Sequence, residues 1–408
     1  MTETSPFLWI ETGFPLNGLI YINGVVAGYN GSVIYASRDG INWDAYDTGV
    51  ALQYVFPHGG KLYFSFSFRR PYAIPHIWDP SSIIQVASLV DYGCYDPETD
   101  LITTCSGQVR QDMTTGNILS NMPAFIVTDD NFLLSVPNIV SATNYWYTGG
   151  ACYLAWNLIT NEVIMRGLGD LPVPNHGTYH SAYWYSYRPI RIGDDIYVFG
   201  YDTDSRYNGS IIFKHSSQDG GDWIAIDHGM ENLRNSNGFI LPPRPAAYFT
   251  DMWLSNSDKL MFLHRENTVY ETATRDNSEN YDIYSLGYSC KSLSFGSNYF
   301  VAVDGLKYNY AKMSHLGHLN ENTLWNEGTL PVFSTKIIAL RNGIFIVNGG
   351  AIGIFTTDIQ ESHLNDYKGI FPFNRSKLFT GYYGIRFTMK PEENSSQKDI
   401  KPVIIDSL

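Results

Sequence analysis

Charge is scarce in this chain: Asp, Glu, Lys and Arg make up only 16% of its 408 residues. Basic residues are the scarcer sign, 27 Lys and Arg against 40 Asp and Glu, which leaves a net charge of −13. A binder of phosphate backbones needs a basic face. The densest basic run is the pair Arg69–Arg70, so no nucleic-acid partner is expected. Cysteine is sparse too. Cys94, Cys105, Cys152 and Cys290 are too few for a disulfide scaffold and lack the CxxC spacing of a zinc site. Cys94 and Cys105 flank the turn Asp96–Asp100 and read as two buried free thiols, with a pairing across that turn as the alternative.

Other signals are missing as well. No apolar run approaches the ~20 residues of a membrane span, so no membrane insertion is expected. The amino terminus, Met1–Ile10, has no basic region followed by an apolar one, so it does not read as a secretory signal. Helical periodicity is nearly absent, the best candidate being a turn or two around Ser314 to Asn322. The ten His residues show no H-E-x-x-H spacing, and neither a phosphate-cradling G-x-x-x-x-G-K-[ST] loop nor a strand-to-helix G-x-G-x-x-G occurs. No metal, nucleotide or redox cofactor is therefore expected. The segment Asp202–Asn208 places oxygen ligands at alternate positions but lacks the Gly and distal Glu of a calcium loop, so it reads as a solvated connection.

What is present points to strands and turns. Aromatics reach 15%, with 30 Tyr and 22 Phe, and 36 Gly and 19 Pro supply frequent turns. Two stretches nearly repeat each other: Ser37-Arg38-Asp39-Gly40-Ile41-Asn42-Trp43 and Ser217-Gln218-Asp219-Gly220-Gly221-Asp222-Trp223, both S-x-D-G-x-x-W and both preceded by Tyr-Asn-Gly-Ser and a β run. Upstream of each lies a tight turn, Asn23-Gly24 in one copy and Asp194-Asp195 in the other, where positive φ is expected. A pattern that recurs with its flanks marks a repeated supersecondary unit.

The same strand–turn–strand signature recurs at Val55–Phe64, Phe125–Leu134, Trp253–Phe262, Leu293–Val301 and Ile337–Ile346. With the two turns above, that makes seven hairpins at a spacing that brackets the ~40–50 residues of propeller repeats. A further hairpin is expected over Cys152–Met165, turning at Ile159-Thr160-Asn161. The S-x-D-G-x-x-W string resembles the Asp-box of sialidase-like and other β-propellers, with one residue fewer between Asp and the aromatic than the usual form. Ile354–Asp358 resembles a decayed copy that kept T-x-D. The resemblance implies an all-β propeller, seven-bladed or with six blades as the alternative, in four-stranded antiparallel blades. The propeller is expected over residues 1–388, its ring closed by pairing the terminal strands, with Leu378–Thr388 suited to that role.

In the Asp-box family the motif staples a turn at the periphery. Ser37, Asp39, Gly40, Trp43, Ser217, Asp219, Gly220 and Trp223 are accordingly expected to be structural: the hydroxyl and carboxylate accept amides in the turn, Gly takes positive φ and Trp packs beneath. The family also raises glycosidase chemistry, which needs three convergent arginines, a Tyr–Glu pair and an Asp acid. Tyr187-Arg188-Pro189-Ile190 and Phe68-Arg69-Arg70-Pro71 only scramble the expected arginine string. No catalytic residue is assigned, because fold does not carry function without a site.

Surface therefore carries the functional expectation. Tyr145, Trp146 and Tyr147, and Tyr183, Trp184 and Tyr185, lie in loops that mix flat apolar faces with hydrogen-bonding edges, as suits a glycan or a protein contact or the filling of space between blades. Residues 389–408 form a polar linker ending in Val403-Ile404-Ile405, expected to dock on a partner. The low charge, the Tyr/Asn/Gly-rich strands and the degenerate boxes resemble the propeller proteins of bacteriophage virions. That resemblance implies a structural or host-attachment component of a tail or tail tip, made in the host cytoplasm and held in a symmetric assembly. Its implied partners are other virion proteins or a host cell-surface glycan or receptor. The alternative is a glycan-binding lectin or glycoside hydrolase of the sialidase-like class.

Overall fold

The structure, a computed structural model, describes residues 5–68, 72–75, 83–86, 89–105, 110–111, 118–119, 123–136, 138–139, 151–167, 189–201, 210–216, 223–226, 249–254, 260–264, 268–272, 281–312, 319, 323–340 and 343–355. Among them every regular element is a strand. Two compact units divide the chain, one of Met1–Gly49 with Tyr288–Leu408 and one of Val50–Gly287.

Strand β1 (Phe7–Glu11) precedes a four-stranded meander of β2 (Asn17–Ile22), β3 (Val25–Asn30), β4 (Val33–Ser37) and β5 (Asp44–Asp47). The second sheet begins with β6 (Leu52–His58) and β7 (Lys61–Phe68). An inserted hairpin of β8 (Tyr72–Pro75) and β9 (Ile83–Val86) follows, and β10 (Leu89–Asp96) and β11 (Leu101–Cys105) complete that sheet. After the small ladder of β12 (Arg110–Gln111) and β13 (Ile118–Leu119), the third sheet comprises β14 (Phe125–Val127), β15 (Phe132–Ser135), β16 (Asn138–Ile139), β17 (Ala151–Asn157) and β18 (Glu162–Gly167).

The fourth sheet is β19 (Ile190–Ile192), β20 (Asp195–Tyr201), β21 (Ser210–Ser216) and β22 (Ile224–Ile226). The fifth is β23 (Phe249–Leu254), β24 (Leu260–His264), β25 (Thr268–Thr272) and β26 (Tyr281–Ser285). Only three strands form the sixth among the described residues: β27 (Ser292–Gly296), β28 (Tyr299–Lys312) and β29 (Asn326–Ser334). The last contains β30 (Ile337–Ala339), β31 (Phe345–Val347) and β32 (Ala351–Phe355), with β1 paired antiparallel to β32 as its fourth strand, Phe7 opposite Phe355.

Each of these seven sheets opens with one of the seven expected hairpins. Local backbone chemistry explains the turns. Asn23-Gly24, Gly59-Gly60 and Ser297-Asn298 all take positive φ, as two-residue hairpins that match strand twist require. One position is corrected: the fourth sheet turns at Gly193-Asp194, with Asp195 already in β20 opposite Ile192, because Gly193 takes the positive φ (59°) at no steric cost. The hairpin over Cys152–Met165 forms as β17 and β18, Asn161 taking φ 59° in its turn. The inserted pairs β8–β9 and β12–β13, and the short β16, carried no clear sequence signal.

In the first unit the last sheet is buried on both faces, and strand alternation divides its side chains between two cores. Ile338, Ile346, Ile352 and Ile354 point one way and pack with Leu19, Val26, Tyr35 and Trp43 of the first sheet. Ile337, Phe345, Val347 and Ala351 point the other way, against Val301, Val303, Tyr308 and Leu330 of the sixth. Such near-continuous apolar strands persist only where both faces are covered. In the second unit Phe125, Ile126 and Val127, and likewise Ile196, Tyr197 and Val198, are each 0% exposed in succession. Phe125 meets Tyr54, Phe56 and Tyr92 of the second sheet with ring centroids 5.2, 6.1 and 5.5 Å away.

The first strands of neighbouring sheets also share polar contacts. Ser292 and Ser294 of β27 accept the Ile337 and Ala339 amides of β30 at 3.1 and 2.9 Å. A hydroxyl there satisfies edge amides that would otherwise be buried without a partner. Leu378–Thr388, the decayed box from residue 356 onward and the tail 389–408 lie outside the described residues, as do the helical candidate except position 319 and the loop Asp202–Asn208.

Candidate functional site

The best-defined constellation of the expected residues is the turn between β4 and β5. Asp39 Oδ1 accepts the Ile41 and Asn42 amides at 2.8 and 2.7 Å and the Ser37 hydroxyl at 3.0 Å, while Oδ2 accepts Asn42 Nδ2 at 2.7 Å. Ser37 Oγ in turn accepts the Gly40 amide at 2.8 Å. Gly40 sits at φ 79°, and a Cβ there would stand 2.7 Å from Leu340 Cδ1. Trp43, buried among the apolar side chains shared with the last sheet, donates its indole N–H back to the Gly40 carbonyl at 3.0 Å. The carboxylate therefore bonds both flanks of its own turn, as a side chain that competes for local backbone donors does.

Of the second copy, Ser217, Asp219 and Gly220 lie outside the described residues. Trp223 is buried, its ring edge-on to His215 with centroids 5.2 Å apart. The aromatic loop residues Tyr145, Trp146, Tyr147, Tyr183, Trp184 and Tyr185 also fall outside, as do Arg69, Arg70 and Arg188. Cys94 is a buried thiol whose pKa is pushed up to about 11, mainly by burial. A thiol held protonated in this way is a poor nucleophile. The Cys105 side chain lies outside the described residues, although β11 places its backbone opposite Tyr92.

Within the second unit a charged cluster emerges that sequence inspection missed. Arg191 on β19 donates to the Asp129 carboxylate at 2.7 and 3.3 Å, and to the Gly193 carbonyl at 3.0 Å. His58, ending β6, brings Nε2 to 3.7 Å from Asp129 Oδ1. The three residues sit at the opening hairpins of three consecutive sheets. Burial lowers the His58 pKa below its ordinary value; the Asp129 charge works against this and the Arg191 charge adds to it. The imidazole is thus neutral near pH 7, and Asp129 serves chiefly as the acceptor of Arg191. Beside it, Thr128 donates its hydroxyl to the Asp130 carboxylate and accepts the Phe132 amide at 3.1 Å. No chemical motif marks these positions.

The first unit offers an apolar surface. Leu306, Leu324 and Phe333 are 51%, 84% and 68% exposed, and all lie on or beside the β28–β29 hairpin. Lys307 and Glu327 form an exposed ion pair across the same two strands at 3.0 Å. Among the described residues no group of three His, Cys, Asp or Glu side chains is arranged to hold a metal ion. No described helix is long and apolar enough to cross a membrane.

No family model matches the chain, and no curated protein does. Solved structures are similar at low identity. A chain of the mitotic checkpoint complex is 11% identical, with a TM-score of 0.46, over 86% of this chain and 91% of that one. The structure described as YCF48 bound to D1 peptide gives 9% and 0.46 over 86% and 95%. The WD40 domain of SCAP from fission yeast gives 9% and 0.40 over 84% and 82%. Likenesses at this level assign neither a family nor a function.

Proposed function

We propose that the chain is a non-enzymatic β-propeller of seven blades that acts as an interaction platform, built into a bacteriophage virion as a structural or host-attachment component. The observation that carries the propeller reading is the last sheet of the first unit. Strands from near the two ends of the described sequence complete it, and it is packed on both faces by further sheets. Radial arrays manage their sheet edges in this way. The platform reading is supported by the exposed apolar side chains of the β28–β29 hairpin. The virion assignment rests on the low charge and on the resemblance drawn from the sequence. Its partners are then neighbouring virion proteins or a host surface receptor, within a symmetric assembly.

Electron microscopy of phage particles carrying a gold-binding tag on this chain tests the assignment. Gold at the tail or tail tip is the expected result. Particles free of gold, together with turnover of sialosides or other glycosides by the purified protein, would overturn both the virion and the non-enzymatic readings.

A further inference from the structure

Two outer turns of the second unit follow one plan on neighbouring sheets. Tyr95-Asp96-Pro97-Glu98-Thr99-Asp100 leads from β10 into β11, and Trp156-Asn157-Leu158-Ile159-Thr160-Asn161 leads from β17 into β18. In each, the last amide donates to the carbonyl four residues back at 2.9 Å, and the last residue takes positive φ, 57° at Asp100 and 59° at Asn161. Asp96 Oδ1 accepts the Glu98 amide at 3.0 Å, as Asn157 Oδ1 accepts those of Ile159 and Thr160 at 3.0 and 3.1 Å. The Tyr95 hydroxyl and the Trp156 indole N–H then donate to Asp100 and Asn161 Oδ1 at 2.6 and 3.0 Å. Turns pinned by their own side chains hold their exposed residues in place, which lowers the ordering cost of binding.

Both turns display one aliphatic side chain and one carboxylate. Leu101 is 64% and Ile159 75% exposed, and each has an exposed glutamate three residues away, Glu98 before the first and Glu162 after the second. Contacts between turns place the two displays at one end of the packed second and third sheets. Lys61 bonds Asp96 at 3.1 Å, His58 comes within 3.7 Å of Asp129, and the Asn131 carbonyl accepts the Leu158 amide at 2.9 Å. Asp129 and Asp130 add further negative charge there, while Lys61 and Arg191 are already paired with Asp96 and Asp129. Whatever covers Leu101 and Ile159 must therefore bring cations of its own. A second copy of this chain, at a net charge of −13, would be repelled.

We infer that the turns Asp96–Leu101 and Asn157–Glu162 dock a segment of a partner protein in which lysine or arginine alternates with aliphatic side chains. Glu98 and Glu162 pair its cations, and Leu101 and Ile159 pack against its apolar residues. This rests on the reading of the chain as an interaction platform and names the chemistry of one partner.

A labelled peptide of alternating lysine and leucine, titrated with the full chain and followed by fluorescence anisotropy, tests it. Saturable binding that weakens as salt is raised is expected. The Glu98→Lys/Glu162→Lys variant should bind about tenfold more weakly or worse, because like charges then face each other. Leu101→Ser/Ile159→Ser should lose a similar factor through lost apolar burial. Glu11→Lys, which changes an exposed acid of the first unit, should bind as the wild type does.

Absence of saturable binding, an equal loss in Glu11→Lys, or full binding by the Leu101→Ser/Ile159→Ser chain would overturn the inference. If a variant does not fold, carbodiimide coupling of the peptide amines to the wild-type chain decides the matter. Coupling at Glu98 or Glu162 is expected, and coupling spread evenly to acids such as Glu11 counts against the site. Gold at the phage tail without peptide binding would sink this site alone, whereas glycoside turnover would sink the platform reading whatever the peptide does.

Discussion

Asp39 shows how much of a turn one carboxylate can hold. It accepts two backbone amides, a hydroxyl and a side-chain amide between Ser37 and Asn42, so its loss strands several donors at once. Asp39→Ala is expected to destabilise the first unit by about 1–3 kcal/mol, the penalty for leaving half-buried donors unmet. The exposed neighbour Arg38→Ala should stay within about 0.5 kcal/mol of wild type. Urea denaturation midpoints of the two variants read the difference. The residue types of this turn were legible in the sequence because each acts on its own neighbours: Gly40 through φ, Ser37 and Asp39 through local hydrogen bonds. The packing of Gly40 against Leu340 was not, since some 300 residues separate the two in the sequence.

At the scale of elements, the opening hairpins do more than reverse the chain. His58, Asp129 and Arg191 join three of them, and each belongs to a different sheet. Because burial and Arg191 hold the His58 pKa below the 6.5 it has when unfolded, protonation favours the unfolded chain. The contribution of the neutral imidazole is complete above pH 6.5 and is lost as the pH falls through the lower, folded value. Melting temperature is therefore expected to drop between pH 7.5 and 5.5 in the wild type, and His58→Gln should flatten that part of the curve. An equal slope in the variant would remove His58 as its cause. The hairpins themselves were readable from apolar runs and turn residues, but their meeting was not. A charge at a turn looks like any solvated charge until a second turn is brought beside it.

For the whole molecule, the pairing of Phe7 with Phe355 spans most of the described sequence, and it leaves the first strand responsible for an edge made last. The Phe7 ring meets Trp9, Tyr299, Tyr308, Tyr310, Phe345 and Phe355 at centroid distances of 5.4 to 6.3 Å. Phe7→Ala is expected to cost about 3–5 kcal/mol, the range for emptying a packed aromatic site. Thermal denaturation with light scattering should show the variant melting earlier and associating as the β32 edge opens. By itself the sequence determined the opening hairpins of the seven sheets, most of their turns and the all-β class. Those depend on φ preferences and on a two-residue alternation that short windows contain. Only the tertiary structure decided that β1 seats on β32, that the sixth sheet stops at three described strands, and that His58, Asp129 and Arg191 meet. These outcomes follow from packing shape and from closing long loops, whose cost grows only slowly with length. A local pattern therefore cannot choose among distant partners.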